Sequence, residues 1–157
     1  MAIRKVRYQG DECLLKKCKE VKEITPRVTE LIDDMFETMY EHYGVGLAAP
    51  QVGILKRIVV IDIQEGEPLV LINPVIVEKS GEQTDDEGCL SFPGKVAKVT
   101  RANHVICKAL NENFEEIEVE GEGLLARAIQ HEVDHLDGIL YPTRADEPLR
   151  DIEEEEA

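Results

Sequence analysis

The segment HEVDH at residues 131–135 contains two histidines and a glutamate at a spacing that suits a metal site. On a helix, His131 and His135 are one turn apart and present their imidazoles to the same ion. Glu132 lies beside His131 and can carry a proton for a water molecule without binding the ion itself. This division of labour is typical of metal-assisted hydrolysis, in which the ion lowers the pKa of water and a carboxylate moves its proton.

A catalytic metal site needs a third protein ligand, and the sequence has two candidate regions for it. One class of HExxH proteases has a histidine six residues after the second one. Here Gly138 matches the glycine of that pattern, but Tyr141 stands in place of the histidine. Few residues remain for a downstream glutamate, so we expect the ligand upstream. Cys89, in the stretch DDEGCLSFPG, is the candidate because a thiolate and two imidazoles form an established catalytic set; a reduced, buried cysteine is the alternative.

The elements that must position these residues follow from hydrophobic spacing. Thr25 and Pro26 start a helix with one apolar stripe, which Gly44 ends. RIVVIDI and LVLINP indicate strands, residues 74–79 a further short one, and the alternating runs HVICKAL and FEEIEV a hairpin. GEGLLARAIQHEVDHLDG predicts a second helix that stops at Gly138. The order predicts an α+β fold, with antiparallel β-sheets surrounding a central helix that carries HEVDH, plus an N-terminal helix.

Composition limits the class of protein. Of 157 residues, 43% are hydrophobic and 32% charged, which favours one globular domain without disulfides. The net charge of −15 argues against direct binding to nucleic acid, and no apolar run is long enough to cross a membrane. No secretory signal is evident, so we expect a cytoplasmic protein with reduced cysteines. We expect one catalytic domain over residues 1–145 and an acidic, flexible tail over residues 146–157.

Three segments together resemble the motifs of peptide deformylases. They are GVGLAAPQ at residues 44–51, EGCLS at 87–91 and QHEVDH at 130–135, in the family's order and at similar separations. The pattern is most similar to the shorter bacterial class. The resemblance implies hydrolytic removal of the N-formyl group from the formyl-methionine of newly made polypeptides, with release of formate. The expected partners are N-formyl-methionyl nascent peptides and, transiently, the ribosome, but neither membranes nor specific nucleic acid sequences.

The resemblance also implies a cofactor and roles for individual catalytic residues. Glu132 matches the general base and acid, Gln51 the side-chain donor to the formyl oxygen, and Leu90 supplies a backbone N–H to the same oxygen. One divalent ion per chain is expected, Fe²⁺ in the cell, with Zn²⁺, Ni²⁺ or Co²⁺ possible in preparations. The matching metal ligands are Cys89, His131 and His135.

Other positions near the expected site match the family less closely. Arg127 and Asp85 fall where several relatives have apolar residues, and Val96 falls where some carry an arginine. Glu87 and Arg101 either pair to brace the EGCLS segment or are two surface charges. The expected substrate-binding residues are Gly44, Val45, Gly46, Leu47, Leu125 and Ala128.

Two other functions compete with the deformylase interpretation. An HExxH endopeptidase predicts a third ligand downstream, which the sequence lacks. A non-catalytic descendant predicts loss of the proton carrier or of the oxyanion donor, yet Glu132 and Gln51 are both present.

Overall fold

A central sheet of five antiparallel strands organises the protein, for which a computed structural model describes residues 2–152. The strand order in this sheet is β1-β2-β3-β6-β7, and a second sheet has the order β4-β5-β8. The strands are β1 (Gly46–Ala48), β2 (Ile58–Ile61), β3 (Leu69–Ser80), β4 (Gln83–Glu87), β5 (Lys95–Arg101), β6 (His104–Leu110), β7 (Glu116–Glu122) and β8 (Arg150–Asp151). The helices are α1 (Pro26–Glu41), α2 (Leu124–Leu136) and the short α3 (Tyr141–Arg144), with 3-10 turns at Glu12–Leu15 and Ala49–Val52.

Helix α1 covers one face of the five-stranded sheet. Thr25 caps it, since its side-chain oxygen accepts a hydrogen bond from the Val28 backbone N–H at 3.3 Å. The apolar stripe is buried, and Met35 and Met39 have no exposed surface. The stripe packs against Ile58 and Val60 of β2 in one hydrophobic cluster. The predicted helix is therefore confirmed, although it ends before Gly44.

Helix α2, which carries HEVDH, covers the opposite face of the same sheet and also contacts β5 of the second sheet. Its Ile129 and Leu136 pack against Val59 and Ile61, the β2 residues that point away from α1. Strand β2 is therefore buried on both faces, which explains its uninterrupted apolar sequence IVVI. The predicted α+β fold is confirmed, with the HEVDH helix between two antiparallel sheets.

The two extended runs predicted around residue 74 belong to one strand, β3, and not to two. The pairing of β3 with β6 shifts register between Ile72 and Val75, where Asn73 adopts a positive φ of 51°. The Asn73 side chain accepts a hydrogen bond from the Val21 backbone N–H and donates one to the Val21 carbonyl, both at 2.9 Å. The strand therefore continues through a β-bulge at the point where Asn73 and Pro74 suggested a break.

The packed part of the chain extends beyond the expected boundary at residue 145. The backbone N–H of Asp146 donates to the Lys98 carbonyl at 2.8 Å, and β8 pairs with the start of β5. Backbone hydrogen bonds and ion pairs thus hold residues 146–152 of the expected tail against the domain. Residues 153–157 lie outside the described residues. Within residues 2–152, none of the helices has the length and apolar composition that crossing a membrane requires.

Candidate active site

Two segments bring the expected metal ligands together. Cys89 lies in the turn just after β4, and His131 and His135 are one turn apart on α2. One ligand atom from each residue lies within 4.8 Å of the others, and Cys89 Sγ is 3.3 Å from His135 Nε2. Zinc-like ions bind sulfur and nitrogen at about 2.0–2.3 Å, so three such atoms at this separation can share one ion. The donor set therefore fits a divalent metal.

Glu87, the last residue of β4, orients the first histidine. Its carboxylate contacts Nδ1 of His131, which leaves Nε2 of that ring for the ion. Burial opposes the charged form of His131, but the carboxylates of Glu132 and Glu87 and the Cys89 sulfur outweigh it and raise the pKa of His131. Burial lowers the pKa of His135 and favours the neutral imidazole, the form that binds a metal.

The same glutamate anchors a buried ionic network. Arg101 donates to both Glu87 carboxylate oxygens, at 2.6 and 3.1 Å, and to Asp134 at 2.7 Å. Arg127 donates to Glu87 at 2.7 Å and to the Val99 carbonyl at 2.9 Å. Of the two interpretations of Glu87 and Arg101, the paired one is therefore correct. Arg127 lines the cleft, but its guanidinium is directed into this network.

Glu132 is buried directly under strand β1. Its Oε1 has no hydrogen-bond partner among residues 2–152. Burial raises the pKa of Glu132 to about 7, so it can accept and release a proton near neutral pH. A Cβ atom on Gly46 would lie 2.6 Å from Glu132 Oε2, so only glycine allows this approach.

Gln51 is held in a fixed orientation by its own turn. Its Oε1 accepts from the Ala48 backbone N–H at 3.0 Å, which directs Nε2 toward Ser91 Oγ at 3.1 Å and Cys89 Sγ at 3.4 Å. Within residues 2–152, no hydrogen bond uses the backbone N–H of Leu90. An amide N–H of Gln51 and the backbone N–H of Leu90 therefore flank the group of candidate metal ligands as potential donors.

A cleft of about 530 Å³ opens above these groups. It contains most, but not all, of the residues expected to bind substrate. Leu47 is fully buried in the cluster beneath α1, and Leu125 packs against β7 on the far side of α2. Leu124 lines the cleft instead, because helical spacing puts it on the same face as Ala128 and His131. Of the expected set, the residues in the cleft wall are Gly44, Val45, Gly46 and Ala128.

Sequence reasoning missed other residues at the site. Ser91 accepts from Gln51, and Gln83 Oε1 accepts from Arg127 at 3.2 Å. Tyr8 and Ile152 line the cleft from opposite ends of the chain. The position of Ser91 inside EGCLS was an available signal. The sequence held no comparable signal for Tyr8 and Ile152, since only folding brings them to the cleft.

Comparisons with known proteins give concordant results. A family model described as polypeptide deformylase matches residues 3–151. A peptide deformylase of Agathobacter rectalis is 60% identical over 152 residues, which cover 97% of this chain and 96% of the relative. The crystal structure of a peptide deformylase from Legionella pneumophila matches with a TM-score of 0.89 at 46% identity, covering 92% of this chain and 86% of that one. One from Synechococcus elongatus, in complex with actinonin, matches with a TM-score of 0.88 at 43% identity, covering 92% and 79%.

Proposed function

Since the chain belongs to the polypeptide deformylase family, we propose that Glu132 and the cluster of Cys89, His131 and His135 form its catalytic centre. The enzyme is a metallohydrolase that removes the N-formyl group from the N-terminal methionine of nascent peptides and releases formate. One observation carries this assignment of roles. The unpartnered carboxylate of Glu132 belongs to the same helix as the two histidines, whose ligand atoms lie within 4.8 Å of Cys89 Sγ.

Cys89, His131 and His135 would hold one divalent ion. When bound, such an ion supplies Lewis acid chemistry, which lowers the pKa of water and polarises a carbonyl group. We take Fe²⁺ as the ion in the cell on the basis of the family resemblance, with Zn²⁺, Ni²⁺ or Co²⁺ in some preparations. A thiolate and two imidazoles also suit zinc. Elemental analysis of protein purified without oxygen distinguishes the four metals.

Glu132 moves the proton in this proposal. With a pKa raised to about 7 by burial, its carboxylate takes a proton from water and passes it to the departing amine nitrogen. Burial makes the carboxylate a stronger base toward water, since Glu132 is only 5% exposed.

Gln51 and Leu90 stabilise the negative charge that develops on the formyl oxygen. The Gln51 amide is neutral and already oriented by Ala48, which limits the reorganisation needed when the charge forms. The backbone N–H of Leu90, the residue directly after Cys89, adds a second donor. Two donors fixed in advance favour the transition state over the planar formyl group.

The substrate's backbone adds to the edge of the five-stranded sheet. Within residues 2–152, strand β1 pairs with β2 alone in that sheet and is therefore an edge strand. An extended peptide can therefore pair with Val45, Gly46 and Leu47 by strand addition. Val45 and Ala128 then contact the methionine side chain, whereas Leu47 contributes through its backbone alone.

The cellular setting follows from the substrate. We propose that the protein acts in the cytoplasm and contacts the ribosome transiently, since its substrates are chains under synthesis. The net charge of −15 disfavours contact with ribosomal RNA, so such a contact would involve ribosomal protein.

Formate release from a formyl-methionyl-alanyl-serine peptide tests the proposed roles. We expect protein loaded with Fe²⁺ without oxygen to release formate, and Glu132→Gln to lower kcat about 10²–10⁴-fold, since the proton carrier is lost. Glu122→Gln changes an exposed glutamate next to α2 and serves as the matched control with unchanged kcat.

Two results contradict these roles. Absence of formate release by fully loaded wild-type protein would overturn the function. Full activity of Glu132→Gln would overturn the role of Glu132 alone. Cleavage of an internal peptide bond would instead support an endopeptidase.

A further inference from the structure

The end of the described chain forms part of the cleft wall. Ile152 follows β8 directly, and its backbone N–H donates to the Gly94 carbonyl at 3.0 Å. Its side chain lines the cleft and is 39% exposed. We propose that Ile152 is a specificity-determining residue, which contacts the side chains that follow the formyl-methionine of the substrate. This inference rests on the proposed function.

Contacts along β8 hold Ile152 in position. Asp151 pairs with Lys95 and Arg150 with Val96 in the register of the three-stranded sheet. The Arg150 guanidinium also donates to Asp86 of β4 at 2.6 Å. Because β4 leads into Cys89, the strand that directly precedes Ile152 is tied to the strand that precedes this proposed metal ligand. Ile152 is therefore a built part of the cleft.

Ile152 belongs to a larger apolar rim, in which the exposed hydrophobic residues of the protein concentrate. Of the ten large hydrophobic side chains exposed within residues 2–152, five line this one cleft. They come from four separate segments of the chain. Single exposed apolar residues are common, but a cluster around a concave site marks a surface that binds apolar groups. The five rim residues are Tyr8, Tyr43, Val45, Leu124 and Ile152.

The rim residues of the cleft are more exposed to solvent than the floor residues, and this difference indicates which part of a bound peptide contacts Ile152. Gln51, His131 and Glu132 at the floor are each at most 7% exposed, and the formyl group must reach them. Ile152 lies on the Gly94 side at the open edge. It therefore contacts residues farther along the peptide, and its branched apolar side chain favours apolar residues there.

Competing peptides measure this selectivity. The probes are formyl-Met-Leu-Phe, with bulky apolar residues after methionine, and formyl-Met-Gly-Ser, with small ones. Ile152→Ala should lower the ratio of their kcat/KM values about fivefold, mainly through a higher KM for the apolar peptide. Val77→Ala removes a branched residue of β3 that is also exposed but lies outside the cleft, and it should leave both values unchanged. Metal content and the melting temperature verify that both variants are folded and loaded.

The outcomes separate this inference from the function on which it rests. If wild-type protein releases formate from neither peptide, the proposed function fails. If wild-type protein is active and Ile152→Ala leaves the ratio unchanged, or lowers both values equally, the role of Ile152 in specificity is wrong. A lower ratio for Ile152→Ala but not for Val77→Ala supports it.

Discussion

At the scale of single residues, Glu87 connects the candidate metal ligand His131 to two buried arginines. Its carboxylate is 5% exposed and contacts Arg101, Arg127 and His131. Burial alone would raise the pKa of Glu87, but hydrogen bonds from His131 and Arg101 outweigh it and lower the pKa well below its usual range. The glutamate therefore stays ionised and keeps His131 in one orientation. Arg127 adds a second guanidinium to this carboxylate and also donates to the Val99 carbonyl.

Removing Arg127 should destabilise the fold more than removing an exposed arginine. Arg127→Met removes one of the two guanidinium groups paired with the buried Glu87 carboxylate, together with the donor to the Val99 carbonyl. We therefore expect a loss of about 3–5 kcal/mol in the free energy of unfolding. Arg144→Met is the control, because Arg144 pairs with Asp134 but has a side chain that is 48% exposed. Its expected loss is below about 1 kcal/mol. Urea titration measures both, and equal losses would contradict the role given to burial.

At the scale of elements, the contact between β1 and α2 sets the position of Glu132. The carbonyl of Val45, just before β1, accepts from the Asp62 backbone N–H at 2.8 Å. The Asp62 side chain in turn accepts from the Tyr40 hydroxyl at 2.6 Å, which joins the end of α1 to β1. The residue that enters β1 is thus fixed through Asp62 to α1, which keeps Gly46 close to the carboxylate below it.

A methyl group at Gly46 should damage catalysis with little effect on folding. Gly46→Ala places Cβ 2.6 Å from Glu132 Oε2, so the carboxylate must move. A displacement of about 1 Å in a catalytic group costs about 10²-fold, and we expect kcat to fall by that factor.

Gly88→Ala is the matched control for that substitution. Gly88 also lines the cleft, but its added Cβ would meet nothing closer than 3.5 Å. Steady-state kinetics together with metal analysis compares the two variants. A Gly46→Ala enzyme with the kcat of Gly88→Ala would show that the approach of β1 to Glu132 is not required.

At the scale of the whole molecule, residues 2–9 connect α1 with the two segments that carry Gln51 and Ser91, beside the candidate metal ligands. The backbone N–H of Ala2 donates to Asp34 at 2.7 Å. Farther along, the N–H of Arg7 donates to the Gln51 carbonyl at 2.7 Å and that of Gln9 to the Ser91 carbonyl at 2.9 Å. Asp34 is therefore the buried anchor of a segment that extends across the molecule to the active site.

Asp34 should make the stability of the protein sensitive to acid. Burial would raise its pKa, but hydrogen bonds from the Ala2 N–H and from Arg4 outweigh this and lower it. A lowered folded-state pKa stabilises the fold fully above the unfolded-state pKa, about 3.9, and this stabilisation disappears as the pH falls through the folded-state value. Asp34→Asn should therefore cost about 1–3 kcal/mol at pH 7 and progressively less toward pH 3.

Asp33→Asn, on the exposed side of the same helix, is the control and should change stability little at any pH. Denaturant titrations at several pH values measure both variants. A cost for Asp34→Asn that does not vary with pH would show that its ionisation is not coupled to folding.

The proposed catalytic roles were inferred from residue types and local spacing. The one-turn separation of His131 and His135 follows from helical geometry, and the absence of a downstream ligand directed attention to Cys89. The stripe of α1 and the alternating runs of β6 and β7 are local patterns of the same kind. The roles of Gln51 and Leu90 remain predictions that the kinetic experiments must test.

Only the tertiary structure decided which remote residues share a surface. Leu125 was expected in the cleft, but the docking angle of α2 turns Leu124 toward it. The sequence offered no reason for an arginine at position 127, whereas the structure shows its partners Glu87 and Val99. Ile152 was expected in a tail, whereas it lies in the cleft wall. Partners such as these lie far apart in sequence, and their meeting depends on burial and packing across sheets. The sequence by itself determined the family and the fold class and predicted the metal ligands and the proton carrier, since these depend on residue types and local spacing. Folding determined the shape of the cleft and what supports it, since these depend on contacts between distant segments.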